Sequence, residues 1–352
     1  MRYNKFFFTL LVSILSFTVS FASNTQQESI FDLLHYNEKV KVKIAVDMTA
    51  LKADFRSDKK HKADFSYEAA DGTNKNWDIK VKLRGKFRRM KCSDTPPLKL
   101  YFDKDDLAYE GLAKHNDLKL VNYCGGDLEE ARETLLKEYV TYKMYNQLTE
   151  ASFRVQLIEV TYYDTHTNEE VEQLAFLIED TAQLRARLGA KKFNVQKGVA
   201  RPVFDAAQTK TMILFQYMIG NTDWKLNFEK NTKHIVQAGK LQTIPYDFDY
   251  SGIVNPSYAT VASDYGTTSL KERVYLGTES DLEEIASTLE LFQSKKEALI
   301  NLIKTNDELK RKTRKEMLEY INSFYENLNP ETLRAAMPKE AEITDELSAG
   351  GS

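Results

Sequence analysis

Hydrophobic and polar positions change period along this chain. Up to residue 121 they alternate: Val40, Val42, Ile44 and Val46 form one series, Trp77, Ile79, Val81 and Leu83 a second, and Leu98, Leu100 and Phe102 a third. A period of two sends successive side chains to opposite faces, so residues 38–121 predict an antiparallel sheet with a charged outer face. After Asp127, a good N-cap, the period becomes helical over Leu128–Leu148. Leu136, Val140, Met144 and Leu148 make its main stripe, while Leu135 and Tyr142 flank Glu138 on a second face. Phe153–Tyr162 and Glu172–Ile178 predict two strands around the turn-forming run Asp164-Thr165-His166-Thr167-Asn168, and a short helix closes at Leu184–Gly189.

The next stretch packs several signals together. Met212–Gly220 is apolar with helical spacing and ends in a glycine, which suits a helix C-terminus. A polar turn, Asn221-Thr222-Asp223-Trp224, leads to the β-rich run Thr232–Val236, the tight turn Ala238-Gly239-Lys240, and a second run, Leu241–Tyr246. That run delivers Asp247 and Asp249 to a reversal at Ser251-Gly252. The predicted order is helix, acidic loop, hairpin, acidic loop, and it puts Asp223, Asn231 and Asp247 at one end of the hairpin. Beyond Gly266, Leu282–Ser294, Lys296–Ile303 and Met317–Leu328 have helical spacing, with a stop at Asn329-Pro330. Lys339–Ser352 is polar, with the composition of a disordered tail.

Oxygen ligands at the open end of a hairpin suit a hard divalent ion such as Mg²⁺ or Mn²⁺, which phosphoryl transfer requires beside a carboxylate for the acceptor hydroxyl. Asp247 and Asn231 are the candidate metal ligands, with Asp249 assisting or capping the turn, and Asp223 is the candidate catalytic residue. Asn227 rivals Asn231; the strand-like run that begins directly after Asn231 favours the latter. Asp247-Phe248-Asp249-Tyr250-Ser251-Gly252 also fits the start of a calcium loop, but its twelfth position is Tyr258, which offers no bidentate carboxylate. A phosphatase-type D-x-D motif and a solvated acidic turn are further readings.

Charge and composition narrow the setting. The 352 residues are 42% hydrophobic, enough for a substantial core. Positions 6–22 are an apolar run after Arg2 and Lys5, ending in small residues, as in a secretory signal peptide at 1–22; an uncleaved anchor is the alternative. Cleavage takes the formal net charge from −3 to −5, leaves no stable transmembrane span, and places the chain in a periplasmic or extracellular setting. No basic excess points to nucleic acid. Cys92 and Cys124 can pair in such a setting or remain two buried thiols. Walker spacing is absent, while Leu83–Arg89 makes a basic turn suited either to phosphate or to solvent.

The segment Gly220-Asn221-Thr222-Asp223, then Asn231, then Pro245-Tyr246-Asp247-Phe248-Asp249 resembles the core of atypical kinases of the HipA and CotH types. The resemblance to the CotH kinase-like family extends to Arg84-Gly85, Lys99 in PLKLYF, Arg132 in ARETLLKEY and Glu179 in AFLIEDTAQL, covering residues 80–255. This chain departs from that family in Lys230 before the Asn, Trp224 after Asp223, and a basic turn without Ser. The resemblance implies an α+β, protein-kinase-like two-lobed fold, with an antiparallel β N-lobe at 30–180 and a mainly α-helical C-lobe at 181–338. It also implies Mg-ATP-dependent phosphoryl transfer to a protein or cell-envelope acceptor. Arg84, Lys99, Glu138 and Glu179 become the nucleotide-side residues, with Lys99 contacting phosphates and paired with Glu138. Lys82 competes with Lys99 for that role, and Arg132 competes as the partner of Glu138. A kinase-fold binding module without turnover is the alternative function.

Overall fold

The computed structural model describes residues 27–85, 95–123, 126–193, 203–261 and 265–338. The expected signal peptide at 1–22, most of the basic turn, Cys92, Cys124 and the expected tail at 339–352 lie outside the described residues.

Seven strands form a closed barrel: β1 (Lys39–Val46), β2 (His61–Glu68), β3 (Asn74–Leu83), β4 (Leu98–Phe102), β5 (Asp117–Asn122), β6 (Val155–Asp164) and β7 (Glu170–Ile178). Their order around the barrel is β1-β2-β3-β4-β5-β7-β6. The first five strands pair antiparallel to their sequence neighbours, and the β6–β7 hairpin fills the remaining arc. Closure comes from a parallel pairing of β1 with β6, Lys39 opposite Leu157 through Val46 opposite Asp164.

This closure corrects the expectation of a two-lobed, protein-kinase-like fold with an antiparallel first lobe. The content is α+β, but the strands curl into a mixed barrel whose last two members follow the long helix. A closed sheet leaves no unpaired edge, which disposes of the backbone donors and acceptors that an open sheet must shield. The alternating apolar residues fill the interior: Val42, Ile44, Phe65, Val81, Leu100, Leu118, Val160 and Leu177 belong to one cluster. Short helices α1 (Ile30–Leu34), α2 (Met48–Ala53) and α3 (Lys104–Tyr109) add Phe31, Leu51 and Leu107 to it.

A second core lies outside the barrel. Val121, Leu157, Phe176 and Ile178 turn outward and pack with helix α4 (Leu128–Leu148). Strand β7 is therefore buried on both faces from Gln173 to Ile178. Past α5 (Thr181–Arg187), helix α6 (Ala206–Ile219) is buried at every position from Gln208 to Ile219, its polar side chains included: Lys210 binds Glu284 at 2.9 Å, and Gln208 Oε1 accepts from Thr243 N–H at 3.0 Å. It is flanked by α8 (Ala286–Lys304) and α9 (Arg311–Glu326), with the short α7 (Glu279–Glu283) and α10 (Pro330–Ala335) nearby. Strands β8 (Lys191–Lys192), β9 (Thr232–Gln237) and β10 (Lys240–Pro245) form a separate sheet. No helix among the described residues is long and apolar enough to cross a membrane.

Candidate active site

Helix α6 ends at Gly220, whose φ of 66° lies in the left-handed region. A Cβ there would meet Tyr320 Oη at 2.1 Å, so the position combines a backbone demand with a steric one. Gly220 then accepts a hydrogen bond from Gly252 N–H at 3.0 Å, and Ile219 accepts one from Ile253 N–H, which lays the second acidic loop along the end of the helix. Buried Asn221 organises the first loop. Its Nδ2 donates to Gln216 Oε1 at 3.0 Å, its Oδ1 accepts from Asp223 N–H at 2.9 Å, and its carbonyl accepts from Trp224 Nε1 at 3.1 Å.

The β9–β10 hairpin turns at Ala238 and Gly239, both with positive φ (48° and 79°), the handedness that two-residue hairpin turns need. Its register runs from Gln237 opposite Lys240 to Thr232 opposite Pro245. At the open end Tyr246 N–H donates to the Asn231 carbonyl at 3.0 Å, so Asn231 stands beside the Pro245-Tyr246 peptide, one residue before Asp247. The Asn231 side chain reaches the other way. Its Nδ2 donates to the Asp223 carbonyl at 2.7 Å and to Asp223 Oδ2 at 2.8 Å. Both amide protons are thereby spent on Asp223, and Oδ1, the atom an asparagine offers to a cation, is left for another partner. Asn227, the rival, is exposed on the intervening loop.

Asn231 (φ 51°) and Asp247 (φ 65°) both hold left-handed backbone without being glycine. Such conformations cost of order 1 kcal/mol each and gather where surrounding structure fixes them for a purpose. Asp247 is fixed from below: its N–H donates to Tyr142 Oη at 2.7 Å, and the Tyr142 ring meets Phe248 edge-on at 4.6 Å. Burial drives the Tyr142 hydroxyl well above its ordinary pKa, and the nearby Glu138 and Asp247 carboxylates push it the same way. Tyr142 therefore stays a neutral hydroxyl that accepts the Asp247 N–H. Buried Asp249 accepts from Tyr258 Oη at 3.0 Å, and Asp223 Oδ1 meets Lys230 Nζ at 2.7 Å.

Across from this acidic end stand cations of the barrel wall. Lys99 is cross-strand to Lys119 on the outer face. Lys99 Nζ meets Asp117 Oδ2 at 2.9 Å, and that ion pair, rather than the expected one with Glu138, holds it. Arg132, the competing partner for Glu138, binds Glu308 at 2.6 Å instead. Lys119 was not singled out in the sequence. Its Nζ lies 5.1 Å from the Tyr246 ring and 5.2 Å from the Phe153 ring. Burial pulls its pKa down to about 8, and the positive charge of Arg84 adds to the fall. Arg84 Nη1 donates to the Leu120 carbonyl at 3.4 Å, and its charge is also felt at Tyr142 and Tyr246. Arg84 and Lys119 thus converge next to Tyr246, one residue from Asp247. The signal in the sequence was Lys119 between Leu118 and Leu120, the same pattern as Lys99 between Leu98 and Leu100, on the strand that leads into α4.

Two further residues of the expected nucleotide side differ in setting. Glu138 is buried on α4, close enough to Tyr142 to act on its hydroxyl. Glu179 is fully buried and bound by two arginines: Oε1 accepts from Arg154 N–H and from Arg187 Nη2, both at 2.8 Å, and Oε2 accepts from Arg154 Nε at 3.1 Å. It joins the end of β7 to the start of β6 and to α5.

Among the described residues no three His, Cys, Asp or Glu side chains gather as a metal cluster. The donor set at the open end of the hairpin is one amide oxygen and one carboxylate, Asn231 and Asp247. Two oxygen ligands suit Mg²⁺, which keeps several waters and takes substrate phosphates, better than a metal that needs a full protein cage.

No family model matches the chain, and no curated protein matches it. Among solved structures it is similar to the Helicobacter pylori proinflammatory kinase CtkA, at 8% identity and a TM-score of 0.38, over 72% of this chain and 95% of that one. The functional reading therefore rests on the residues of this chain.

Proposed function

We propose that this chain is a phosphotransferase that moves the γ-phosphoryl group of Mg-ATP to a hydroxyl on a protein or cell-envelope acceptor outside the cytoplasm. The observation that carries the reading is Asn231. Its side chain is held by Asp223 and its carbonyl by the N–H of Tyr246, the residue before Asp247, and the Tyr246 ring in turn meets Lys119 and feels the charge of Arg84. A carboxylate, two oxygen ligands and two cations are what phosphoryl transfer asks of a protein, since the chemistry needs positioning and charge stabilisation.

In this reading Asn231 and Asp247 hold the magnesium ion, which when bound neutralises charge on the phosphates. Lys119 and Arg84 hold phosphate oxygens, Lys119 taking the role first assigned to Lys99. Asp223 accepts the acceptor's hydroxyl proton as that oxygen bonds to phosphorus; the bond from phosphorus to the β–γ bridging oxygen breaks, and ADP leaves. Tyr142 keeps Asp247 in its left-handed conformation, and Asp249 secures the turn through Tyr258. Glu138 supports Tyr142 from α4.

One observation favours the alternative, a nucleotide-binding module without turnover. The Asp223 carboxylate is already engaged by Lys230 and Asn231, and an acceptor hydroxyl must displace or share those contacts. Conversion of ATP to ADP with Mg²⁺, followed for the wild type and Asp223→Ala, separates the two. The phosphotransferase reading expects turnover that Asp223→Ala removes while nucleotide binding survives. Tight Mg-ATP binding with no turnover in the wild type would support the module.

A further inference from the structure

A cavity of about 630 Å³ opens between the loop joining α1 to β1, helix α4, strand β6 and the loop after α8. None of the residues assigned above to phosphoryl transfer lines it. Most of the charged groups at its wall are already matched. Lys39 Nζ binds Glu308 at 2.6 Å and lies 3.6 Å from Glu159. Glu308 is also held by Arg132 at 2.6 Å, and Asp307 faces Arg314 at 3.6 Å. Asn306 Oδ1 accepts the N–H groups of Glu308 and Leu309 at 3.1 and 3.2 Å.

Two lining charges remain, on different walls. Lys143 projects from α4 and Glu38 from the α1–β1 loop. Neither forms an ion pair with a described residue, and they do not pair with each other. Burial pulls Lys143 below the usual lysine range, and Glu38 is near enough to draw it part of the way back. An ammonium that has lost water without gaining a counter-ion is costly, and a ligand that supplies the counter-ion recovers that cost. A simple anion would meet Lys143 but face the Glu38 carboxylate; a simple cation would do the reverse. A molecule carrying both charges satisfies both walls.

The other lining groups fit a small polar body. Gln156 Nε2 donates to the carbonyls of Asn37 and Leu157 at 2.8 and 2.9 Å, which orients Gln156 Oε1 toward His35 Nδ1 at 2.7 Å. His35 Nδ1 therefore carries the proton, and Nε2 is left as an acceptor. Tyr139 and Gln147 add an aromatic ring and an amide.

We propose that this cavity binds a free α-amino acid, with its carboxylate against Lys143 and its ammonium against Glu38. The assignment does not rest on the phosphotransferase reading, and either stands without the other.

The test titrates the full chain with each of the twenty protein amino acids by calorimetry or ligand-observed NMR. Any amino acid that binds is then compared with its N-acetyl and carboxamide derivatives, each of which keeps one charge. At least one amino acid is expected to bind, and each derivative to bind at least tenfold more weakly. Lys143→Met should bring the amino acid down to the level of its carboxamide, and Glu38→Gln down to the level of its N-acetyl form. The proposal is overturned if no amino acid binds, if the derivatives bind as well as the parent, or if both variants keep the discrimination intact.

Discussion

Two hairpins of this protein end in an acidic residue, and they put it to opposite uses. The β6–β7 hairpin ends at Ile178, and the carboxylate of Glu179 that follows is buried and closed off by Arg154 and Arg187. The β9–β10 hairpin ends at Pro245, and two residues on stands Asp247, in left-handed backbone and tethered through its N–H to Tyr142. One acid holds three elements together. The other has its main chain held in left-handed backbone, one residue from Tyr246, whose ring meets Lys119 and feels the charge of Arg84. The difference teaches that an acid after a strand carries no role of its own: its partners and its backbone decide.

Breaking the first hairpin's acid should have the largest effect on stability. Glu179→Ala leaves Arg154 with Asp32 and Arg187 with Glu150 as their remaining carboxylates, and losing the buried member of this ionic group costs about 3 kcal/mol, the low end for a buried pair. Urea unfolding should show this loss, while Mg-ATP affinity measured on the protein that remains folded should change little. The second hairpin predicts the reverse. Asp247→Gly relieves a left-handed non-glycine residue, worth about 1 kcal/mol, so stability should hold or rise while metal-dependent nucleotide binding is lost. If Asp247→Gly unfolds the protein as Glu179→Ala does, the contrast between the hairpins fails.

The strands of the barrel were legible for a local reason. Val40 to Val46, Trp77 to Leu83 and Leu98 to Phe102 alternate because one face fills the barrel interior. The helix at Leu128–Leu148 and the β9–β10 hairpin were legible from a cap and from Ala238-Gly239. Closure was not. It depends on Lys39 lying opposite Leu157 in a parallel ladder, a contact with no local signature, and on β7 being apolar on both faces. The site shows the same limit. Asp223, Asn231 and Asp247 are tied to one hairpin, and sequence spacing alone placed them near one another. Lys119 and Lys99 each stand between two leucines, and the fold distinguishes them by pairing Lys99 with Asp117 and bringing Tyr246 over Lys119.

A subtler variant sharpens how Asp247 is held. Tyr142→Phe removes the acceptor of the Asp247 N–H, a net loss of about 1 kcal/mol in stability. If Tyr142 positions Asp247, the variant should weaken Mg-ATP several-fold yet leave metal-free ATP binding unchanged. Equal weakening with and without metal would make Tyr142 a packing residue only.

The smallest effect concerns pH. Lys119 has a folded-state pKa of about 8, below the 10.5 of a free lysine. Between those values the unfolded chain holds a proton that the folded protein lacks, so this group makes stability rise with pH across that window. Below about 8 both states are protonated and its contribution is flat. Urea unfolding at pH 7 to 9.5 should show a steeper rise for wild type than for Lys119→Met, and equal slopes would refute the burial of that ammonium. ATP affinity should also fall as pH passes about 8, and this fall should be absent in Lys119→Met.

The central claim is that Asn231 and Asp247 form a metal-dependent nucleotide site opposite Arg84 and Lys119. Calorimetric titration of the wild type with ATP, in the presence and absence of Mg²⁺ or Mn²⁺, tests it most directly. The account predicts heat of binding that depends on the metal and disappears in Asp247→Ala. No heat with either metal, or binding that Asp247→Ala leaves intact, would contradict it.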